Sequence, residues 1–177
     1  MKNKIFIVSL FFIFGCSSYN TTSNNTPLNE VTCPSILVSS EHQKYITGNS
    51  EPITFEDLSF ISDINNYEFS SGCYSNKNFN EAELSILFIV NPEKIINPDF
   101  LIPYYIAILN DSDELLEIIY SSFKGSIEKN KDTNDYVETE IIENLFIKLP
   151  YKDNQEFSKL KIIIGFMLKK ESFNLLN

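Results

Sequence analysis

Strict alternation of apolar and polar residues is the feature that most constrains the fold of this chain. From Glu81 to Val90 every even position is apolar, whereas the odd positions begin with two Glu and a Ser. A period of two is typical of a strand with one face buried and the other in solvent. The same pattern recurs in residues 137–149 and 160–168. The chain is therefore predicted to be built from half-buried strands.

Further strands are predicted where apolar, β-branched and aromatic residues cluster. These segments are residues 35–38, 55–62, 67–74, 104–109 and 115–123. The turn residues at 110–113 join the last two segments and predict a hairpin. No segment shows a long amphipathic helical pattern. About eight short strands with turn-rich joints predict a single all-β domain, an antiparallel sandwich, with a closed barrel as the alternative.

Residues 1–15 carry the pattern of a secretory signal peptide. Lys2 and Lys4 precede an apolar run over residues 5–14, which only Ser9 interrupts, and Gly15 follows. A basic start, a short apolar stretch and a small residue at the cleavage point are typical of such signals. As a helix the run would span about 15 Å, whereas the hydrocarbon core of a bilayer is about 30 Å thick. A membrane-spanning helix is therefore not expected here.

The motif Ile13-Phe14-Gly15-Cys16 resembles the lipobox of bacterial lipoproteins, although Phe14 is bulkier than usual at its position. The resemblance implies a diacylglycerol thioether on Cys16 and an acyl group such as palmitate on its new amino terminus. Several acyl chains anchor a protein stably where one chain is marginal. Ser17, and not Asp, follows the cysteine, which favours the outer membrane, facing the periplasm. An ordinary signal with a chance Cys is the alternative.

Residues 17–32 are rich in Ser, Thr and Asn and show no apolar period. Residues 16–32 are therefore predicted to be a lipidated cysteine followed by a flexible linker, and residues 33–177 to be the folded domain. In an oxidising periplasm the two remaining cysteines, Cys33 and Cys73, are expected to form a disulfide. Two buried free thiols are the alternative. No Cys-x-x-Cys motif indicates a redox role.

Four motifs follow one another over most of residues 33–173: Cys33-Pro34, Gly72-Cys73, Tyr104-Tyr105-Ile106-Ala107-Ile108 and Ile164-Gly165-Phe166-Met167-Leu168. Together they resemble an uncharacterised family of proteobacterial envelope lipoproteins. The chain lacks the Arg that members often carry after Glu83 and has Ile95 and Ile96 there. The resemblance implies an immunoglobulin-like sandwich of about seven to eight strands on a lipid tether. It implies no activity.

Charge excludes two classes of partner. The formal net charge is −10, the chain has no Arg, and removal of the signal would take away two lysines. Such an acidic chain is repelled by phosphate backbones, so nucleic-acid binding is not expected. Lying flat on anionic lipid through a basic face is disfavoured for the same reason.

Few residues suggest chemistry. His42 is the only histidine; it lies in a polar loop and is expected to be exposed and idle, and a zinc site would need further ligands. Glu138 and Glu140 share a strand face and, with Glu143, could suggest a carboxylate pair, but a solvated outer face explains them better. Weak candidates for Ca²⁺ ligands, with a solvated turn as the alternative, are Asn110, Asp111 and Asp113.

The sequence therefore favours a function that is neither enzymatic nor cofactor-dependent. The preferred hypothesis is a lipid-anchored interaction or scaffolding module of the cell envelope, which holds an envelope protein through a sheet face or a sheet edge. The alternative is a periplasmic module that binds a small ligand or Ca²⁺. In both hypotheses the chain contacts the membrane through its lipid anchor.

Overall fold

The computed structural model describes residues 27–150 and 156–176. The predicted signal peptide, Cys16 and most of the predicted linker lie outside these residues. Short 3-10 turns occur at Phe55–Asp57 and Phe157–Lys159, and helix α1 spans Lys170–Leu176. The ten strands of the described chain are β1 (Asn29–Val31), β2 (Ser35–Val38), β3 (Lys44–Gly48), β4 (Leu58–Phe69), β5 (Cys73–Ser75), β6 (Phe79–Pro92), β7 (Asp99–Leu109), β8 (Leu115–Ser126), β9 (Thr139–Pro150) and β10 (Lys161–Phe166).

The strands form two separate sheets, which confirms the predicted all-β sandwich and not the closed barrel. In the six-stranded sheet β6 is central, with β9 along one side and β4 and β5 along the other; β3 and β1 lie beyond them. The four-stranded sheet has the order β2-β10-β7-β8. Every described pair is antiparallel except β2 with β10, which is parallel.

The core lies between the two sheets and is filled by the predicted inward positions. The even residues of β6, from Ala82 to Val90, are at most 1% exposed. Phe88 lies at the centre, where its ring stacks on Phe123 at 4.3 Å between centroids and contacts Tyr104 at 5.1 Å. Burial of these apolar side chains is the main term that stabilises such a fold. The alternation that predicted the strands therefore also defines the core.

Strand β4 differs from the prediction. Two strands were expected at residues 55–62 and 67–74, but a single strand runs through Leu58–Phe69 with a β-bulge between Ile64 and Asn66. The prediction was wrong here because Asp63, Asn65 and Asn66 interrupt the apolar pattern without ending the strand. Pairing with β6 outweighs that local preference, and the bulge absorbs the extra residue.

Three short elements were not predicted. β1 begins at Asn29, inside the expected linker, and pairs with β5; β3 is a short strand beside β4. Helix α1 packs near β3, where the Ser172 hydroxyl donates to the Ile46 carbonyl at 3.4 Å. In the described part of the chain no helix is long and apolar enough to cross a membrane.

The predicted disulfide between Cys33 and Cys73 is present, with the two Cα atoms 5.2 Å apart. Cys73 begins β5 and is completely buried, whereas Cys33 lies between β1 and β2. The bond thus ties the start of the domain to the six-stranded sheet. Closing a loop of 40 residues contributes about 4 kcal/mol on the chain-entropy model.

Candidate functional site: the β8 edge

Strand β8 is a long edge strand. It pairs with β7 along its full length of 12 residues, and no described strand pairs with its other side. β9 is an edge of the six-stranded sheet, and the two edges touch at the same side of the sandwich. An edge strand presents N–H and C=O groups that can pair with another chain. This side of the molecule is therefore the part best suited to strand addition.

The outer face beside β8 is unusually apolar. Cross-strand pairing places four apolar residues in one row across the four-stranded sheet, which we call the outer row. The outer face of a solvated sheet is normally polar, and a contiguous apolar patch marks a binding surface. The members of the outer row, in strand order, are Leu37, Ile163, Ala107 and Ile118.

The exposed apolar side chains continue along β8 itself. Tyr120 is 66% exposed and Leu115 is 55% exposed, and Leu116 and Ile118 are each more than one third exposed. The first charged residue on this outer face of β8 is Lys124 at the far end. The outer face of β8 thus carries no charge before its far end, and Glu117 lies on the inner face of the strand. Charges along an edge usually protect it from pairing.

The second edge, β9, is better protected. Its outward side chains alternate the apolar Ile142 and Phe146 with the polar Glu140, Asn144 and Lys148. The Lys148 ammonium lies 3.8 Å from the Glu81 carboxylate and 3.5 Å from the centre of the Phe79 ring. Charged residues of this kind discourage edge pairing. β8 is therefore the stronger candidate of the two edges.

A polar cluster lies on the inner side of these edges. Tyr104 is fully buried on β7, and Ser121 of β8 is its cross-strand partner on the inner face. Glu143 of β9 is paired with the fully buried Ile86, so the carboxylate also points between the sheets. We call Tyr104, Ser121 and Glu143 the edge cluster. It lies at the gap between β8 and β9, two edge strands of the described chain that contact each other without pairing.

The hydroxyl of Tyr104 is buried and makes no hydrogen bond. Burial raises its pKa above the usual value, the Ser121 hydroxyl opposes this increase and the Glu143 carboxylate adds to it. Ser121 is thus close enough to affect the pKa, but its geometry is not that of a regular hydrogen bond. Buried hydroxyls nearly always have a partner, so this unsatisfied group calls for an explanation.

His42 does not lie where the sequence suggested. It was expected to be exposed and idle, but it is half-buried and its Nδ1 lies 3.0 Å from the Tyr105 hydroxyl. Its ring also meets the Phe173 ring edge-on, with centroids 5.8 Å apart. The loop prediction was wrong on exposure because both partners come from distant parts of the chain. The role that these contacts support is structural.

The weak calcium candidates lie in the predicted hairpin turn between β7 and β8. The Asn110 Oδ1 accepts hydrogen bonds from the Ser112 and Glu114 amides, and Asp113 forms an ion pair with Lys161. Asp111 is exposed. Within residues 27–150 and 156–176, no group of three or more His, Cys, Asp or Glu residues could hold a metal ion. Asn110 therefore organises the turn, and Asp113 ties the turn to β10.

The three glutamates near β9 lie on different faces, as the alternation of a strand requires. Glu138 and Glu140 are exposed, whereas Glu143 is half-buried on the opposite, inward face. Sequence reasoning did not single out Glu143 as an inward charge. The signal was present, because Glu143 occupies an odd position in the same series as the inward Leu145 and Ile147.

Two open hollows in the described chain offer little to a small ligand. One, of about 310 Å³, is lined by charged residues including Glu51 and Lys169, which form an ion pair at 3.6 Å. The other, of about 330 Å³, is lined mainly by polar residues such as Asn49 and Asp99. Small-molecule sites are usually enclosed and mostly apolar, so neither hollow favours the ligand-binding alternative.

No family model, curated protein or solved structure matches this chain. The resemblance to envelope lipoproteins therefore stays a prediction from the sequence.

Proposed function

We propose that this chain is a lipid-anchored protein of the bacterial envelope that holds a protein partner by accepting a strand at β8. The observation that carries the proposal is the combination of a 12-residue edge with exposed apolar side chains along it. A strand added there would form main-chain hydrogen bonds with β8. Its outward side chains would extend the outer row beyond Ile118.

The energetics of this surface suit binding. Full burial of a Leu, Ile or aromatic side chain contributes about 1.5–3 kcal/mol, and partly exposed residues contribute part of that amount. Leu115, Leu116, Ile118 and Tyr120 all have exposed area to bury on one strand. Their burial, together with the main-chain hydrogen bonds, would offset part of the free-energy cost of ordering a short extended segment of the partner.

The anchor in this proposal is the lipidated Cys16, which would hold the domain at the outer membrane, facing the periplasm. β1 begins at Asn29, so the intervening stretch could reach at most about 45 Å when fully extended. A domain on such a tether meets partners near the membrane surface. We assign the domain no catalytic step and no cofactor, and His42 is engaged by Tyr105 in the fold.

The proposal is tested by photo-crosslinking in living cells. A photoreactive amino acid is placed at Tyr120, which is 66% exposed, or at Phe55, which is 65% exposed and lies near β3 at the opposite edge of the six-stranded sheet. We expect one dominant envelope protein to be crosslinked from Tyr120 and not from Phe55. Equal crosslinking from both positions, or none from Tyr120, would contradict strand addition at β8.

A further inference from the structure

We infer that the segment bound at β8 carries a basic residue, whose ammonium or guanidinium group enters the gap between β8 and β9 to meet the Glu143 carboxylate and the Tyr104 hydroxyl. This inference rests on the proposed function and defines the chemistry of the partner. The partner is an extended segment with apolar side chains on one face and a central Lys or Arg on the other.

The alternation of a strand decides where the partner's side chains point. A strand beside β8 would lie about 4.8 Å away, with successive side chains on opposite faces. One set would continue the outer row, next to Ile118 and Tyr120. The other set would point between the sheets, level with Ser121, where Glu143 of β9 also points. A long side chain is needed to cross the gap, and Lys and Arg have that length.

The charges of the gap favour a cation. Among the described residues Glu143 has no ion-pair partner, whereas Glu81 of β6 is paired with Lys148 of β9. Tyr104 contributes a buried hydroxyl oxygen without a hydrogen bond. A basic group could donate to both oxygens at once, and such charge-assisted hydrogen bonds are the strong ones. The unsatisfied hydroxyl then has a role in the bound state.

A second copy of this chain is a poorer occupant. Each copy carries a formal net charge of −10, and two acidic copies repel each other. A basic segment has the complementary charge, which both speeds association and selects the partner.

Glu143 could instead serve only to protect the edge from pairing, as inward charges do in other sheets. The two explanations predict opposite effects of removing the charge. If Glu143 only protects the edge, Glu143→Gln should strengthen strand addition whatever the charge of the partner. If it binds a cation, the same change should weaken the binding of basic partners alone.

The test uses the lipidated full chain in detergent and labelled peptides of alternating Thr and Val. Three peptides differ only at a central position on the Thr face, which holds Lys, Glu or norleucine. Binding is measured by fluorescence anisotropy at low and at high salt. The variants are Glu143→Gln, the matched control Glu140→Gln on the exposed face of β9, and Tyr120→Lys, which blocks the outer face of β8.

We expect the Lys peptide to bind about tenfold or more tightly than the Glu peptide, as one charge-assisted hydrogen bond would require. Glu143→Gln and high salt should each remove this preference for the Lys peptide, whereas Glu140→Gln should leave it unchanged. Tyr120→Lys should weaken the binding of all three peptides. If the three peptides bind equally tightly and Glu143→Gln does not change their affinities, the inferred basic residue of the partner is contradicted. Strand addition at β8 is not contradicted by that result.

Other outcomes also decide the matter. If the Glu143→Gln variant binds all three peptides more tightly, Glu143 protects the edge from pairing, and the inference is overturned. Failure of every peptide to bind, or a crosslink from Tyr120 to a second copy of the chain, would overturn it as well. The in-cell crosslink from Tyr120 to an envelope protein separately decides the proposed function, so the two failures can be told apart.

Discussion

The ring of Tyr105 covers Gly165 across the outer face of the four-stranded sheet. The two residues are cross-strand partners on β7 and β10, and a Cβ added to Gly165 would lie 2.6 Å from the Tyr105 hydroxyl oxygen and 2.7 Å from the ring. The same hydroxyl lies 3.0 Å from His42 Nδ1. Glycine at this position thus lets the aromatic ring lie flat and reach the loop before β3.

This close approach predicts a strong effect of a small substitution. Gly165→Ala should lower the free energy of unfolding by about 1–3 kcal/mol, because the added methyl group overlaps the Tyr105 ring. Urea unfolding followed by circular dichroism measures the change. In a Tyr105→Ala background, Gly165→Ala should lower the free energy of unfolding by less than half of that amount. An equal cost in both backgrounds would show that the ring is not the cause.

Neighbouring tyrosines should respond in opposite directions to loss of the hydroxyl. Tyr104→Phe should raise the free energy of unfolding by about 1 kcal/mol, because it removes a buried hydroxyl without a hydrogen bond. Tyr105→Phe should lower it by about 1 kcal/mol, because it removes the contact with His42. Chemical unfolding of the three proteins is the measurement, and a loss of stability in Tyr104→Phe would mean that its hydroxyl is bonded.

The pH dependence provides a further check on Tyr104. Its pKa is raised in the folded state by burial, an effect that the Ser121 hydroxyl opposes and the Glu143 carboxylate increases. The folded state therefore holds the proton more tightly, and stability falls as the pH rises above the ordinary tyrosine pKa of about 10. Tyr104→Phe should lose less stability than the native chain over that range. Tyr45, whose pKa burial also raises, accounts for part of the remaining loss.

Loss of the disulfide should lower stability. Cys33→Ser opens the loop of 40 residues and should lower the free energy of unfolding by about 2–4 kcal/mol. Denaturant unfolding with and without a reducing agent measures this. The reductant should destabilise the native chain by a similar amount and leave the variant unchanged, and a native chain insensitive to reduction would contradict the prediction.

Lipidation is tested at Cys16. Cys16→Ala should leave an uncleaved precursor without acyl chains, because no sulfur remains to carry the diacylglycerol. Membrane fractionation and intact-mass measurement report both properties, and Ser17→Ala serves as the control that should still be processed. Normal acylation of the Cys16→Ala chain would refute the lipobox interpretation.

Most of the strands that were predicted correctly were identified from the local alternation of apolar and polar residues. β6 and β10 were recognised because their alternation depends only on neighbouring residues and on which face meets the core. β4 was divided wrongly because its Asn residues prefer turns, and only pairing with β6 shows that the strand continues. β1 was missed because three polar-flanked residues carry no period. His42 was misjudged because Tyr105 is 63 positions away in the chain.

The sequence by itself determined the class of fold and the apolar faces, because periodicity is a property of neighbouring residues. It also indicated one disulfide, because Cys33 and Cys73 are the two cysteines that remain besides Cys16. Only the tertiary structure decided which strands became edges, and it placed Tyr104, Ser121 and Glu143 together from three different strands. These relationships depend on register and sheet order, which arise from long-range packing. The outer row likewise exists only because four strands align Leu37, Ile163, Ala107 and Ile118.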